Sequence, residues 1–80
     1  MYELYQLEEC PFSQKVRARM TDLGIDYMIR NVPRDKEKRE RLMKVSGQKG
    51  VPTLVDPEKN IIIADDEEKI INFINQQHQK

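Results

Sequence analysis

The hydrophobic period changes abruptly at Cys10-Pro11, and that change constrains how the chain can begin. Tyr2 to Leu7 (YELYQL) alternates apolar and polar side chains, the pattern of a strand with one buried face. From Phe12 onward the apolar residues return at helical spacing: Phe12, Val16, Met20 and Leu23, with Lys15, Arg17 and Arg19 on other faces. Gly24 is a natural stop for that helix. IDYMIRNV then reads as a second strand, ended by Pro33. Strand, helix and strand make a βαβ unit, whose right-handed crossover sets the two strands parallel.

The rest of the chain is briefer in its signals. Asp35 to Val45 has a helical pattern with few apolar anchors (Leu42, Met43, Val45), which predicts a short surface helix closed by Gly47. Two apolar runs, Thr53–Val55 and Ile61–Ile63, flank Asp56-Pro57-Glu58-Lys59-Asn60. A proline second in such a turn signals a hairpin, adding two antiparallel strands to the sheet. Asp65 and Asp66 can cap a last helix carrying Ile70, Ile71, Phe73 and Ile74, and the polar tail from Asn75 to Lys80 is expected to fray. The order is β-α-β-α-β-β-α: an α/β domain with a four-stranded mixed sheet and three helices. No repeat, low-complexity run or linker divides it, so residues 1–80 read as a single domain.

Size and cysteine usage narrow the setting. A chain of 80 residues is one domain with a thin core, since about 60% of its unfolded surface is buried on folding at this length. One cysteine permits no internal disulfide, whereas small secreted domains carry even sets, so a reducing cytoplasm is expected. Met1 to Glu9 has neither the basic nor the apolar region of a leader, and Ile61 to Ala64 is too short to span a bilayer. Fourteen basic and fourteen acidic side chains cancel, which argues against bulk nucleic-acid binding. Their distribution is uneven: Arg34 to Lys49 is net basic and Asp56 to Lys69 net acidic. A solvated helix face followed by an acidic helix start accounts for this, and so does a basic side that receives an anionic ligand.

The candidate for chemistry is Cys10, at the strand-to-helix junction. A thiol at a helix N-terminus faces unpaired N–H groups and the positive end of the dipole, both of which favour the attacking thiolate. Pro11 suits the first helical turn, where no N–H is missed. Ser13 could donate a hydrogen bond to the sulfur, while Glu8 and Glu9 directly before Cys10 oppose its ionisation. A buried inert cysteine is the competing reading. His78 is the only histidine, lies in the polar tail, and builds no metal constellation with one cysteine. Met20, Met28 and Met43 read as core or gap fillers, Tyr5 as packing, and Gly47 and Gly50 as residues permitting a close backbone approach rather than a phosphate loop.

Cys10-Pro11-Phe12-Ser13 after a first strand, with SGQKGVPTLVD carrying Val51-Pro52 into the third, resembles the glutaredoxins and the related N-terminal domains of glutathione transferases. The resemblance covers essentially the whole chain and implies a thioredoxin-like fold. It implies that Cys10 is the nucleophile, with Ser13 beside it. Val51-Pro52 matches a dipeptide whose bond is cis in this family, exposing the Val51 backbone to pair with the cysteinyl group of glutathione. Gln48 and Lys49 match positions that contact the glycine-end carboxylate, and Phe12 would pack beside the ligand. Asp65 and Asp66 match the acidic pair of glutaredoxins, or Asp66 and Glu67 the transferase-like ending; either meets the γ-glutamyl group at a helix N-terminus.

Three departures qualify the match. Ser13 stands where dithiol members have a second cysteine, so only a one-cysteine cycle remains. Leu7 stands where many glutaredoxins have a lysine. Pro11 stands where monothiol members that carry iron–sulfur clusters typically have glycine. The implied function is a glutathione-dependent thiol–disulfide oxidoreductase that reduces mixed disulfides through Cys10. Glutathione or a similar small thiol would be its co-substrate, and disulfide-bonded or glutathionylated proteins its partners. No metal, nucleic acid or membrane is expected, and the chain is expected to act as a cytoplasmic monomer. The alternatives are a module that binds glutathione or a 2Fe–2S cluster without redox turnover, a redox-inert interaction domain resembling a detached transferase half, and a Cys-Pro-Phe-Cys dithiol protein with its second cysteine engineered to serine.

Overall fold

The computed structural model describes residues 1–78. Its strands are β1 (Tyr2–Gln6), β2 (Tyr27–Asn31), β3 (Thr53–Asp56) and β4 (Ile61–Ala64), and its helices α1 (Pro11–Asp22), α2 (Glu40–Ser46) and α3 (Glu67–Gln77). The sheet runs β2-β1-β3-β4. β1 and β2 are parallel, from Tyr2↔Tyr27 to Gln6↔Asn31, while β3 is antiparallel to both β1 and β4. This is the thioredoxin-like order, with a mixed four-stranded sheet and three helices.

Alternation along β1 gives each face of the sheet its own core. Leu4, Val16, Met20, Leu54, Ile70 and Ile74 form a fully buried cluster joining the sheet to α1 and α3. Burying each such side chain contributes about 1.5–3 kcal/mol. Tyr5 points the other way and packs with Val32 and Leu42 of α2, and Leu7, Val45, Val51 and Val55 complete this smaller cluster. No buried side-chain nitrogen or oxygen among the described residues lacks a hydrogen-bond partner.

Local chemistry sets the element ends. Gly24, at φ +66°, turns the chain after α1, and the Ile25 N–H donates back to the Met20 carbonyl at 2.9 Å. The Asp56 carboxylate accepts from the Glu58 and Lys59 N–H groups at 3.1 and 3.4 Å, organising the hairpin turn that Asn60 closes at φ +55°. Asp66 caps α3 by accepting from the Lys69 N–H at 3.0 Å.

The structure departs from the sequence reading in three places. The helix expected over Asp35–Val45 is split into a 3-10 turn at Lys36–Lys38 and α2, because Arg39 adopts φ −87°, ψ 56° and turns its side chain inward. The polar tail does not fray at Asn75: α3 continues through Gln77, and His78 lies against Tyr2, its Nε2 2.8 Å from the tyrosine oxygen. Met20 is core, but Met28 and Met43 are substantially exposed. Met28 lies on β2, an edge strand of the sheet, and Met43 on the short helix α2.

Candidate active site

β1 ends pointing at the site. The Tyr5↔Thr53 pairing brings the chain that leads to Cys10 to the same end of the sheet as the chain entering β3. Leu7 and Val51 pack against one cluster, so the two loops share a floor. After Leu7 a turn closes with the Cys10 N–H donating to the Leu7 carbonyl at 3.1 Å, and Cys10 becomes the N-cap of α1 with Pro11 in the first turn. Cys10 is partly exposed and stands outside the fully buried core. Phe12, the second residue of α1, is 48% exposed, so an aromatic side chain stands open two positions along the chain from Cys10.

Ser13 is fully buried, and its hydroxyl accepts from the Leu7 N–H at 3.4 Å. No hydrogen bond joins it to the Cys10 sulfur among the described residues, so the expected donor to the thiol is instead a brace of the turn before it. The expected effect of Glu8 and Glu9 also changes. Glu8 pairs with Arg17 at 3.0 Å, and Glu9 is held by Arg34 at 2.5 and 3.1 Å. The hydrogen bond from Arg34 holds the Glu9 carboxyl below the usual glutamate range. Two carboxylates that repel a thiolate in the bare sequence are each answered by a guanidinium in the fold.

The opposite wall is the segment from Gln48 to Pro52, with a cis Val51–Pro52 peptide bond. The Gln48 amide donates to Ser46 Oγ at 2.8 Å and Thr53 Oγ1 at 3.0 Å, and accepts from the Gly50 N–H at 2.5 Å. Both donors of Gln48 are therefore spent inside the loop, which makes it a brace rather than a free contact. Lys49 extends outward to Glu37 at 2.9 Å, and that hydrogen bond lowers the Glu37 pKa. Glu37 is largely exposed, so the pair is weak and a ligand carboxylate can compete for the lysine. Among the described residues, the Val51 N–H and C=O have no hydrogen-bond partner.

Asp65 follows β4 at φ +52° and donates its N–H to the Pro52 carbonyl at 3.0 Å. Its carboxyl lies directly over Gly50, where a Cβ would collide with it. Asp66 and Glu67 come next, at the start of α3, with one Asp66 oxygen taken by the Lys69 N–H. The loop before β3 thus carries Gln48, Lys49, Val51 and Pro52, with Asp65 bonded to it and Asp66 and Glu67 next along the chain, while Cys10, Phe12 and the buried Ser13 lie at the start of α1.

Sequence reasoning missed Arg17, Arg34 and above all Arg39. Arg39 is 5% exposed and donates to the carbonyls of Pro33, Lys49 and Arg34 at 2.7, 2.9 and 3.4 Å. Nothing in the run from Arg34 to Lys49 distinguishes it from its basic neighbours. No three His, Cys, Asp or Glu side chains among the described residues are grouped to hold a metal, and no described helix is long and apolar enough to cross a membrane.

Comparison with known proteins bears on the family and the fold. The sequence model of the glutaredoxin family, described simply as "Glutaredoxin", matches residues 2–59. An uncharacterized glutaredoxin-like 8.6 kDa protein in the rubredoxin operon of Clostridium pasteurianum is 30% identical over 74 residues, covering 92% of this chain and 97% of that protein. Among solved structures, human glutathione transferase theta-2, in complex with glutathione, superposes with a TM-score of 0.87 at 21% identity, over 100% of this chain and 32% of that one. A glutathione transferase homologue from Drosophila mojavensis with bound glutathione gives a TM-score of 0.86 at 23% identity, over 99% of this chain and 36% of that one. The chain therefore spans about a third of those transferases, and the likeness to them is one of fold.

Proposed function

This chain belongs to the glutaredoxin family, with a thiol-based function of that type, and from that premise we propose that it is a glutathione-dependent thiol–disulfide oxidoreductase working through Cys10 alone. The observation that carries the reading is a partly exposed cysteine at the N-cap of α1, with unpartnered Val51 backbone groups in the loop that shares its hydrophobic floor and no second thiol in the chain.

In the proposed cycle the Cys10 thiolate attacks the glutathione sulfur of a glutathionylated substrate. The substrate sulfur leaves as a thiolate and takes up a proton, and a Cys10–glutathione disulfide remains. The thiolate of a second glutathione then attacks the glutathione sulfur of that disulfide. Oxidised glutathione departs and Cys10 is regenerated, so each glutathionylated substrate reduced consumes one free glutathione thiol, which leaves joined to the glutathionyl group taken from the substrate. Val51 would pair with the cysteinyl backbone of glutathione, and Lys49, released from Glu37, with its glycine-end carboxylate. Asp65, Asp66 and Glu67 with the start of α3 would meet the γ-glutamyl end, and Phe12 would flank the sulfur. Gln48 and Ser13 act by holding their loops.

Intact mass after incubation of the reduced protein with oxidised glutathione tests this. One glutathionyl adduct, absent in Cys10→Ala and removed by reduced glutathione, is the expected result. A protein that stays unmodified near neutral pH would overturn the reading.

A further inference from the structure

A buried guanidinium is costly unless its donors are met, and a neutral side chain could fill the same space more cheaply. Arg39 is nevertheless buried and forms no ion pair among the described residues. Its partners are all backbone carbonyls, and they belong to two different loops. Nε donates to Pro33 at 2.7 Å and one Nη to Arg34 at 3.4 Å, in the loop after β2. The other Nη donates to Lys49 at 2.9 Å, in the loop before β3.

Each of those loops is one step from a wall of the candidate cleft. Arg34 grips Glu9, the residue before Cys10. Lys49 precedes Gly50 and Val51-Pro52. The rigid fork of a guanidinium spans two carbonyl groups at set angles, which a lysine ammonium or an apolar chain cannot do. Arg39 stands at the N-cap of α2, between the 3-10 turn and the helix, and from there its side chain reaches both loops.

We propose that Arg39 is a positioning residue: it holds the Pro33–Arg34 and Lys49 carbonyls together and so sets the separation between the Cys10 wall and the Val51–Pro52 wall. The inference rests on the reading of that cleft as the seat of glutathione.

The test compares wild type, Arg39→Lys and Arg39→Met as full chains in two reactions of Cys10. Oxidised glutathione needs both walls, whereas iodoacetamide needs only the sulfur. Arg39→Met is expected to need about tenfold to a hundredfold more oxidised glutathione for half-maximal rate, with alkylation by iodoacetamide unchanged. Arg39→Lys should fall between, because a single nitrogen cannot reproduce the three separately placed donor nitrogens of the guanidinium. Wild-type behaviour of Arg39→Met in both reactions would overturn the inference. So would a parallel fall in both reactions with loss of amide dispersion, since Arg39 would then only hold the fold. Should Arg39→Met not fold, the wild-type Arg39 Nε–H decides: slow hydrogen exchange supports the clasp, and exchange as fast as that of exposed Arg34 removes it. Absence of any wild-type glutathione adduct would overturn the functional reading instead. The Lys49 to Val51 amide shifts in Arg39→Lys then judge the clasp separately, and unmoved shifts would sink it.

Discussion

The carboxyl of Asp65 rests on the α-carbon of Gly50, leaving room there for nothing larger than hydrogen. This contact locks the end of β4 to the loop that carries Val51-Pro52, and the Asp65 N–H bond to the Pro52 carbonyl reinforces it at 3.0 Å. Gly50→Ala forces the Asp65 side chain aside and is expected to cost about 1–3 kcal/mol. Asp65→Gly suits the φ of +52° at that position and removes the obstacle. In a double-mutant cycle by urea unfolding, Gly50→Ala should therefore cost little in the Asp65→Gly background. An equal cost in both backgrounds would show that the contact is not what excludes alanine.

The Glu9–Arg34 pair should be visible in acid. Its hydrogen bond lowers the Glu9 pKa from 4.5 in the folded state, so the pair stabilises the protein above the unfolded value and is lost as pH falls through the folded one. Side-chain carbon shifts should show Glu9 titrating below 4.5, returning toward that value in Arg34→Met. Added salt should shrink the difference, because both groups are exposed.

Ser13 divides structure from chemistry. Ser13→Ala leaves the Leu7 N–H without its acceptor and should lower stability by about 1–2 kcal/mol. Glutathionyl adduct formation should persist in this variant, because the hydroxyl makes no hydrogen bond to the sulfur. Ser13→Cys should instead form a disulfide with Cys10 under oxidation, read as a two-hydrogen mass loss that blocks the adduct. Loss of the adduct in Ser13→Ala would restore a direct role for the hydroxyl.

Asp66 offers a similar separation. Asp66→Ala removes the cap on the Lys69 N–H and should cost about 1 kcal/mol, whereas Asp66→Asn keeps an acceptor and most of that stability. If Asp66 also meets the γ-glutamyl amine, Asp66→Asn should slow adduct formation at unchanged stability. Equal adduct rates in Asp66→Asn and wild type would confine Asp66 to capping.

Much of the architecture was legible in the amino-acid order because periodicity is a local property. The change of period at Cys10-Pro11 marks the β1–α1 junction, the Asp56-Pro57 turn marks the β3–β4 hairpin, and Asp66 marks the start of α3. Each of these signals lies within a few residues of the element it sets. The thiol's place at the head of a helix follows from the same local reading.

What the order of residues could not reveal is which distant groups meet. Glu8 and Glu9 look like neighbours hostile to a thiolate until the fold brings Arg17 and Arg34 to them. Ser13 looks like a partner for the sulfur until the turn at Leu7 claims its hydroxyl. His78 looks like part of a loose tail until Tyr2, at the other end of the chain, receives it. Arg39 is one basic residue among several in its segment, and only the tertiary structure makes it the one whose guanidinium is buried. The reason is physical: backbone period is set by near neighbours, whereas ion pairs and buried hydrogen bonds are made by whichever groups the packed sheet and helices bring within about 3 Å of each other.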